Sequence, residues 1–208
     1  GRTVLFTAAH HANEWITATV LLKFAEELSR AILEKGSVYG IPANLFEENC
    51  QIFLVPMVDP DGVDLVTGGI PLGSVQWEKA RNLAGNYPAI PFPNGWKANL
   101  LGIDLNLQYP AGWLQAREIK FSQGYTRPGP RDYVGKAPLT QRESRALADF
   151  TRYLDPALIL AYHTQGSGPG AGICPALRLR SGGNALCLRF RGLQGLVHQN
   201  LAAARLHH

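Results

Sequence analysis

The sequence predicts an α/β fold with a mixed, mostly parallel sheet and helices on both faces. Three observations carry this. Short apolar runs over residues 3–8, 51–57 and 158–162 lack the polar alternation of a half-wet sheet, so each reads as a strand buried on both sides. Two longer segments, 15–33 and 140–154, place apolar residues at helical spacing. These helices alternate with the strands, the order that builds parallel sheets through crossover connections. At 208 residues, 46% hydrophobic and 17% charged, the chain can bury one sizeable core and is too apolar to be disordered or fibrous.

The first strand, Thr3-Val4-Leu5-Phe6-Thr7, runs toward His10 and His11. Behind Trp15, residues Ile16, Val20, Leu21, Phe24, Leu28 and Ile32 make one apolar stripe, and Gly36 stands just past the end, where helices stop. The strand over 51–57 is expected to stop in a turn at Asp59-Pro60-Asp61-Gly62. Residues 68–113 are rich in Gly, Pro and Asn and predict long loops with a short helical piece near 75–82. Thr140 and Glu143 have the spacing of a capping box ahead of Leu147, Phe150 and Leu154. The last strand leads into Tyr162-His163-Thr164-Gln165-Gly166, a strand end followed by a glycine turn.

Charge divides the chain. Residues 1–155 hold 15 Lys or Arg against 16 Asp or Glu, whereas residues 156–208 hold five Arg and no acid. The body therefore has no basic surplus, and beyond Ser167 the tail offers one aromatic, Phe190, so nucleic-acid binding is disfavoured. From about Ser167 onward no periodicity holds. Residues 167–208 read either as a basic surface segment or, preferably, as sequence foreign to the domain, such as a shifted reading frame. No apolar stretch reaches the length of a bilayer span. Cys50, Cys174 and Cys187 form neither a metal-finger spacing nor a disulfide framework. The chain opens at Gly1 directly on a strand, which leaves the compartment open.

The residues that carry chemistry begin at His11-Ala12-Asn13-Glu14. A His and a Glu three apart at a strand-to-helix turn can aim an imidazole and a carboxylate at one ion, and zinc accepts that mixed set. Alone the pattern is a common one, and a capping Glu beside a surface His is the ordinary alternative. His163 strengthens it, because ligands of open α/β sheets gather at the carboxyl ends of strands. A buried structural histidine is the alternative for His163.

Five blocks in order resemble one family, the zinc carboxypeptidases of the carboxypeptidase A type, over residues 1 to about 166. They are His11-Ala12-Asn13-Glu14-Trp15; Val55-Pro56-Met57-Val58-Asp59-Pro60-Asp61-Gly62; Trp96-Lys97-Ala98-Asn99; Gly102-Ile103-Asp104-Leu105-Asn106; and Ala161-Tyr162-His163-Thr164-Gln165-Gly166. The chain is most similar to the bacterial branch that cleaves γ-D-glutamyl-diaminopimelate bonds in peptidoglycan. The resemblance implies one zinc ion on His11, Glu14 and His163, with Asp104 hydrogen-bonding a zinc histidine. It implies that Lys97 stands near an arginine that polarises the scissile carbonyl, and that Asn106, with Asn13 beside the zinc motif, contacts substrate. A peptide or peptidoglycan-derived substrate follows. A solvated surface lysine is the alternative for Lys97, and a plain turn aspartate for Asp104.

Departures qualify the match. Asp59 replaces the usual Asn, Asn13 a frequent basic residue, and Leu107 the arginine that grips a terminal carboxylate; leucine cannot make that bidentate pair. The family's general-base glutamate and its capping tyrosine lie beyond the third ligand, yet no Asp, Glu or Tyr follows His163. No general base is therefore found. The expectation is a partial zinc peptidase catalytic domain over 1–166 with weak or no turnover of its own. Two alternatives stay open: a non-catalytic, zinc-containing peptide-binding module, and a zinc amidohydrolase of the aspartoacylase type.

Overall fold

The computed structural model describes residues 1–164. The expectations for the turn at Gly166 and for the tail over 167–208 lie outside those residues.

Three parallel strands form the central sheet: β1 (Arg2–Thr7), β4 (Cys50–Val55) and β5 (Leu158–Ala161), in the order β4-β1-β5. Register sets what each face offers. Leu5 lies opposite both Phe53 and Ile159, whereas Phe6 lies opposite Leu54 and Leu160. The Leu5 face packs with Val55 against Leu147, Ala148, Phe150 and Leu154 of α6 (Arg142–Leu154). The Phe6 face packs against Leu21 and Phe24 of α1 (Ile16–Leu33). Strands covered on both sides explain why their sequences run apolar without alternation.

Between α1 and β4 the chain makes a hairpin of β2 (Ser37–Val38) and β3 (Ile41–Pro42), then the short helix α2 (Asn44–Asn49). After β4 come α3 (Pro60–Thr67) and α4 (Val75–Ala84), which share a core with Ala12 around the fully buried Trp96. The region read as loops keeps long connections, with one 3₁₀ turn at Leu105–Leu107 before α5 (Trp113–Ser122).

Two local expectations are corrected. Asp59-Pro60-Asp61-Gly62 is the start of α3 and not a plain turn. Asp59 Oδ1 accepts the Gly62 N–H at 3.1 Å, and Pro60 occupies the first turn, where its missing N–H costs nothing. The capping box at Thr140 and Glu143 does not form. Gln141 is the N-cap, but its side chain does not cap the helix; Thr140 Oγ1 donates to Gln108 Oε1 at 2.9 Å, and Glu143 accepts from Asn99 at 3.1 Å.

Gln108 organises that region. Fully buried, its Nε2 donates to the Val134 and Ala137 carbonyls, while Oε1 accepts the N–H groups of Thr140 and Gln141 at 2.9 and 3.1 Å. One side chain thus seats the loop that leads into α6.

Candidate metal centre

The site forms where β1 and β5 end side by side. Beyond Thr7 the chain stays zipped to the β4 side: Ala8 N–H donates to Val55 O at 3.0 Å, and Asp59 N–H to Ala9 O at 2.9 Å. Ala9 then takes φ 47°, a left-handed conformation rare for a residue with a Cβ, and its N–H goes to Thr17 Oγ1 at 2.9 Å. That bend leads to a 3₁₀ turn at Ala12–Glu14, pinned by Ala12 N–H to Lys97 O at 3.3 Å, so His11 and Glu14 share one side. His163, two residues past β5, meets them across the sheet ends.

One ligand atom each from His11, Glu14 and His163 lies within 4.8 Å of the other two, and all three residues are buried. The two imidazole Nδ1 atoms are 3.2 Å apart. Glu14 Oε2 is 3.0 Å from His163 Nδ1 and accepts the Thr164 N–H at 3.1 Å. Glu14 Oε1 approaches His11 Nδ1 to 3.1 Å without a directed hydrogen bond. On its far side His11 Nε2 faces Asp104 Oδ1 at 3.2 Å, which fixes Nε2 as the donor and leaves Nδ1 as a lone pair aimed into the cluster. A lone pair, a second ring nitrogen and a carboxylate packed this closely repel one another, and a proton or a metal ion between them removes the conflict. Tetrahedral zinc ligands at about 2.0–2.2 Å stand about 3.3–3.6 Å apart, within a few tenths of the spacings here. The donor set fits zinc.

Electrostatics agree. In the metal-free protein burial opposes a charge on His11, but Asp104 and Glu14 outweigh it and raise its pKa above the ordinary value. Burial also opposes the charges of Glu14 and Asp104, yet the histidines beside Glu14, and His11 beside Asp104, hold both carboxyls far below the usual range. A proton on His11 Nδ1 and a metal ion are alternatives for one place. His10, also buried, is pushed down by burial and by His163 and His11; its Nε2 faces Tyr109 OH at 3.3 Å.

The remaining residues singled out from the sequence fall around this cluster. Lys97 Nζ stands 3.7 Å from Glu14 Oε1 and is mostly buried. Asn106 is buried on the turn that follows Asp104, and its N–H donates to Asp104 Oδ1 at 3.1 Å. Asn13 lies within the 3₁₀ turn, with its Oδ1 buried and no hydrogen-bond partner among the described residues. Leu107 is half-buried at the end of the 3₁₀ turn after Asp104. Two contributors were not legible in the sequence: Thr17, which donates to the Glu14 carbonyl at 2.7 Å, and Asp132, whose N–H donates to Asp104 Oδ2 at 3.3 Å. Thr17 acts through its hydroxyl on a backbone carbonyl and Asp132 through its own N–H, so neither shows as a pairing of side chains.

Asp59, fully buried, makes a testable case. Burial raises its pKa well above 3.8, with Glu143, Asp61 and Asp104 adding to the effect, and its Oδ2 has no hydrogen-bond partner among the described residues. The folded protein holds a proton that the unfolded chain releases near 3.8, so stability declines as pH rises from there toward the raised folded value. Asp59→Asn keeps the Gly62 cap and removes the charge. It is expected to flatten that decline and to stabilise the neutral protein by about 1–3 kcal/mol in urea unfolding; an unchanged pH profile would contradict this account.

Comparison with known proteins agrees with these features. The chain matches the zinc carboxypeptidase family over residues 1–168. It is 41% identical over 165 residues to γ-D-glutamyl-L-diamino acid endopeptidase 1 of Lysinibacillus sphaericus, covering 79% of this chain and 40% of that protein. It is 24% identical over 151 residues to carboxypeptidase B of Bos taurus, covering 72% and 30% respectively. The crystal structure of thrombin activatable fibrinolysis inhibitor shares the fold, with a TM-score of 0.54 at 19% identity over 79% of this chain and 35% of that one. The chain thus spans 30–40% of the length of these two curated relatives. A parallel sheet whose strand ends gather two histidines and a glutamate, and a family match that runs through all the described residues, lead to one conclusion: the chain belongs to the zinc carboxypeptidase family.

Proposed function

We propose that residues 1–166 are part of a zinc peptidase catalytic domain and that His11, Glu14 and His163 hold one zinc ion. The protein to which they belong would hydrolyse an amide bond in peptidoglycan stem peptides of the γ-D-glutamyl-diamino acid type. The observation that carries the reading is His11 Nδ1, fixed as a lone pair by Asp104 and aimed at Glu14 and His163. The substrate class is suggested by the name of the Lysinibacillus relative.

Zinc held there supplies Lewis acidity toward a carbonyl and makes water a stronger nucleophile at neutral pH. The chain's own groups do the rest. Asp104 keeps His11 in the ligating tautomer. Lys97, beside Glu14, offers a cation where negative charge would develop on the scissile carbonyl. Asn106 is assigned to a substrate carboxylate, and Asn13, on the turn between His11 and Glu14, to a substrate contact. Leu107, in place of a carboxylate-gripping arginine, argues against trimming of ordinary L-peptide termini. The proton transfer that peptide hydrolysis needs is assigned to none of these residues.

Calorimetry on the 208-residue chain tests the reading. The zinc-loaded form is expected to bind L-Ala-γ-D-Glu-diaminopimelate more tightly than an all-L tripeptide or an N-acyl amino acid, with weak or no turnover. Binding that is indifferent to zinc, or a preference for the N-acyl amino acid, would reject it.

A further inference from the structure

Asp104 is oriented by more than His11. Its N–H donates to Tyr133 O at 2.9 Å, and its Oδ2 accepts the Asp132 N–H at 3.3 Å, so the segment 131–133 is sewn to both sides of the residue. Asp132 is buried and sits at φ 66°, a left-handed conformation that most side chains avoid. Two cations clamp its carboxylate: Lys120 Nζ reaches Oδ1 at 2.7 Å and Arg131 Nε reaches Oδ2 at 2.7 Å. Lys120 comes from the last turn of α5, which is anchored by Trp113 Nε1 donating to Val134 O at 3.2 Å. Relaxing Asp132 to an ordinary φ would reorient the peptide planes on either side of it, including the one that carries the N–H to Asp104.

We propose that Asp132, clamped by Lys120 and Arg131, is a positioning residue: it holds the Asp104 carboxylate in the plane that aims His11 Nδ1 into the metal site. The inference rests on the zinc-site reading above. It explains why an aspartate occupies a left-handed position where glycine would be unstrained, because the two ion pairs immobilise the turn while balancing a second carboxylate next to Asp104. Outer hydrogen-bond partners of metal ligands act in this way, by fixing ring orientation and basicity.

The test uses zinc affinity of the 208-residue chain, measured by competition with a chromophoric chelator, together with the visible spectrum of the cobalt(II) form. Asp132→Asn and Lys120→Met are each expected to weaken zinc binding about tenfold and to shift the cobalt band. Lys120→Arg, which restores a cation, is expected to recover both. Circular dichroism reports the folded fraction. Full affinity with an unshifted band in Asp132→Asn or Lys120→Met overturns the inference, as does a loss that merely tracks unfolding. Absence of zinc binding in the unsubstituted chain, or undiminished affinity in Glu14→Gln, would instead bring down the metal-site reading and this inference with it.

Discussion

Glu14→Gln is expected to lower zinc affinity by on the order of 100-fold or more, because loss of an outer partner alone costs roughly 10–100-fold and Glu14 is a direct donor. The side chain is fully buried, and its two oxygens span the Thr164 N–H, both histidine Nδ1 atoms and Lys97. Glutamine preserves that shape but removes the negative charge and turns an NH₂ donor toward the place a cation would occupy. Packing volume is unchanged, so the metal-free variant should remain folded. The same chelator titration reads the effect, and an affinity matching that of the unsubstituted chain would reject Glu14 as a ligand. Lys97→Met provides a contrast of opposite sign. Removing a cation 3.7 Å from Glu14 relieves repulsion with the metal, so zinc affinity should hold or rise.

Gln108→Leu is expected to destabilise the fold by about 2–5 kcal/mol, since each buried polar group left unpaired costs roughly 1–3 kcal/mol. Leucine fills nearly the same volume but abandons the Val134 carbonyl and the Gln141 N–H, both on buried residues. Close packing adds to the effect: a Cβ on Gly135, at φ 84°, would lie 2.5 Å from Gln108 Nε2, so the loop cannot slide to find other partners. Urea unfolding should show the midpoint fall without a change in slope. Gln108→Glu should fail too, because a carboxylate would face the Val134 carbonyl. A loss below about 1 kcal/mol for the leucine variant would mean that water or a shifted loop satisfies these groups.

The sequence displayed what depends on local pattern. Parallel strands buried on both faces appear as unbroken apolar runs, and α1 shows its stripe because one side of it meets Phe6 and Leu160. His11 and Glu14 could be paired because they sit on one turn, and His163 because it ends an apolar run. Ambiguity arose where one residue type serves two structures. Asp-Pro-Asp-Gly suits a turn and equally an N-cap followed by proline in the first turn, and only the tertiary position of Asp59 decides between them. α5 gave little signal because Trp113, Leu114, Ile119 and Phe121 are spread around its circumference, and Trp113 alone among its residues is buried. Gln108 and Asp132 left no trace: Gln108 bonds backbone groups 26 to 33 residues along the chain, Asp132 reaches Asp104 through its own N–H, and backbone carries no residue identity.

The separation between His11 and His163, 152 residues, has a mechanical consequence. An ion gripped by both would tether the exit of β1 to the exit of its neighbour β5, closing a loop that contains nearly all the described residues. Such a clip acts mainly on the unfolded ensemble, and the entropy it removes grows only slowly with loop length. Chelation would therefore lower the stability of the whole unit at once, so that protease resistance across residues 1–164 follows metal occupancy.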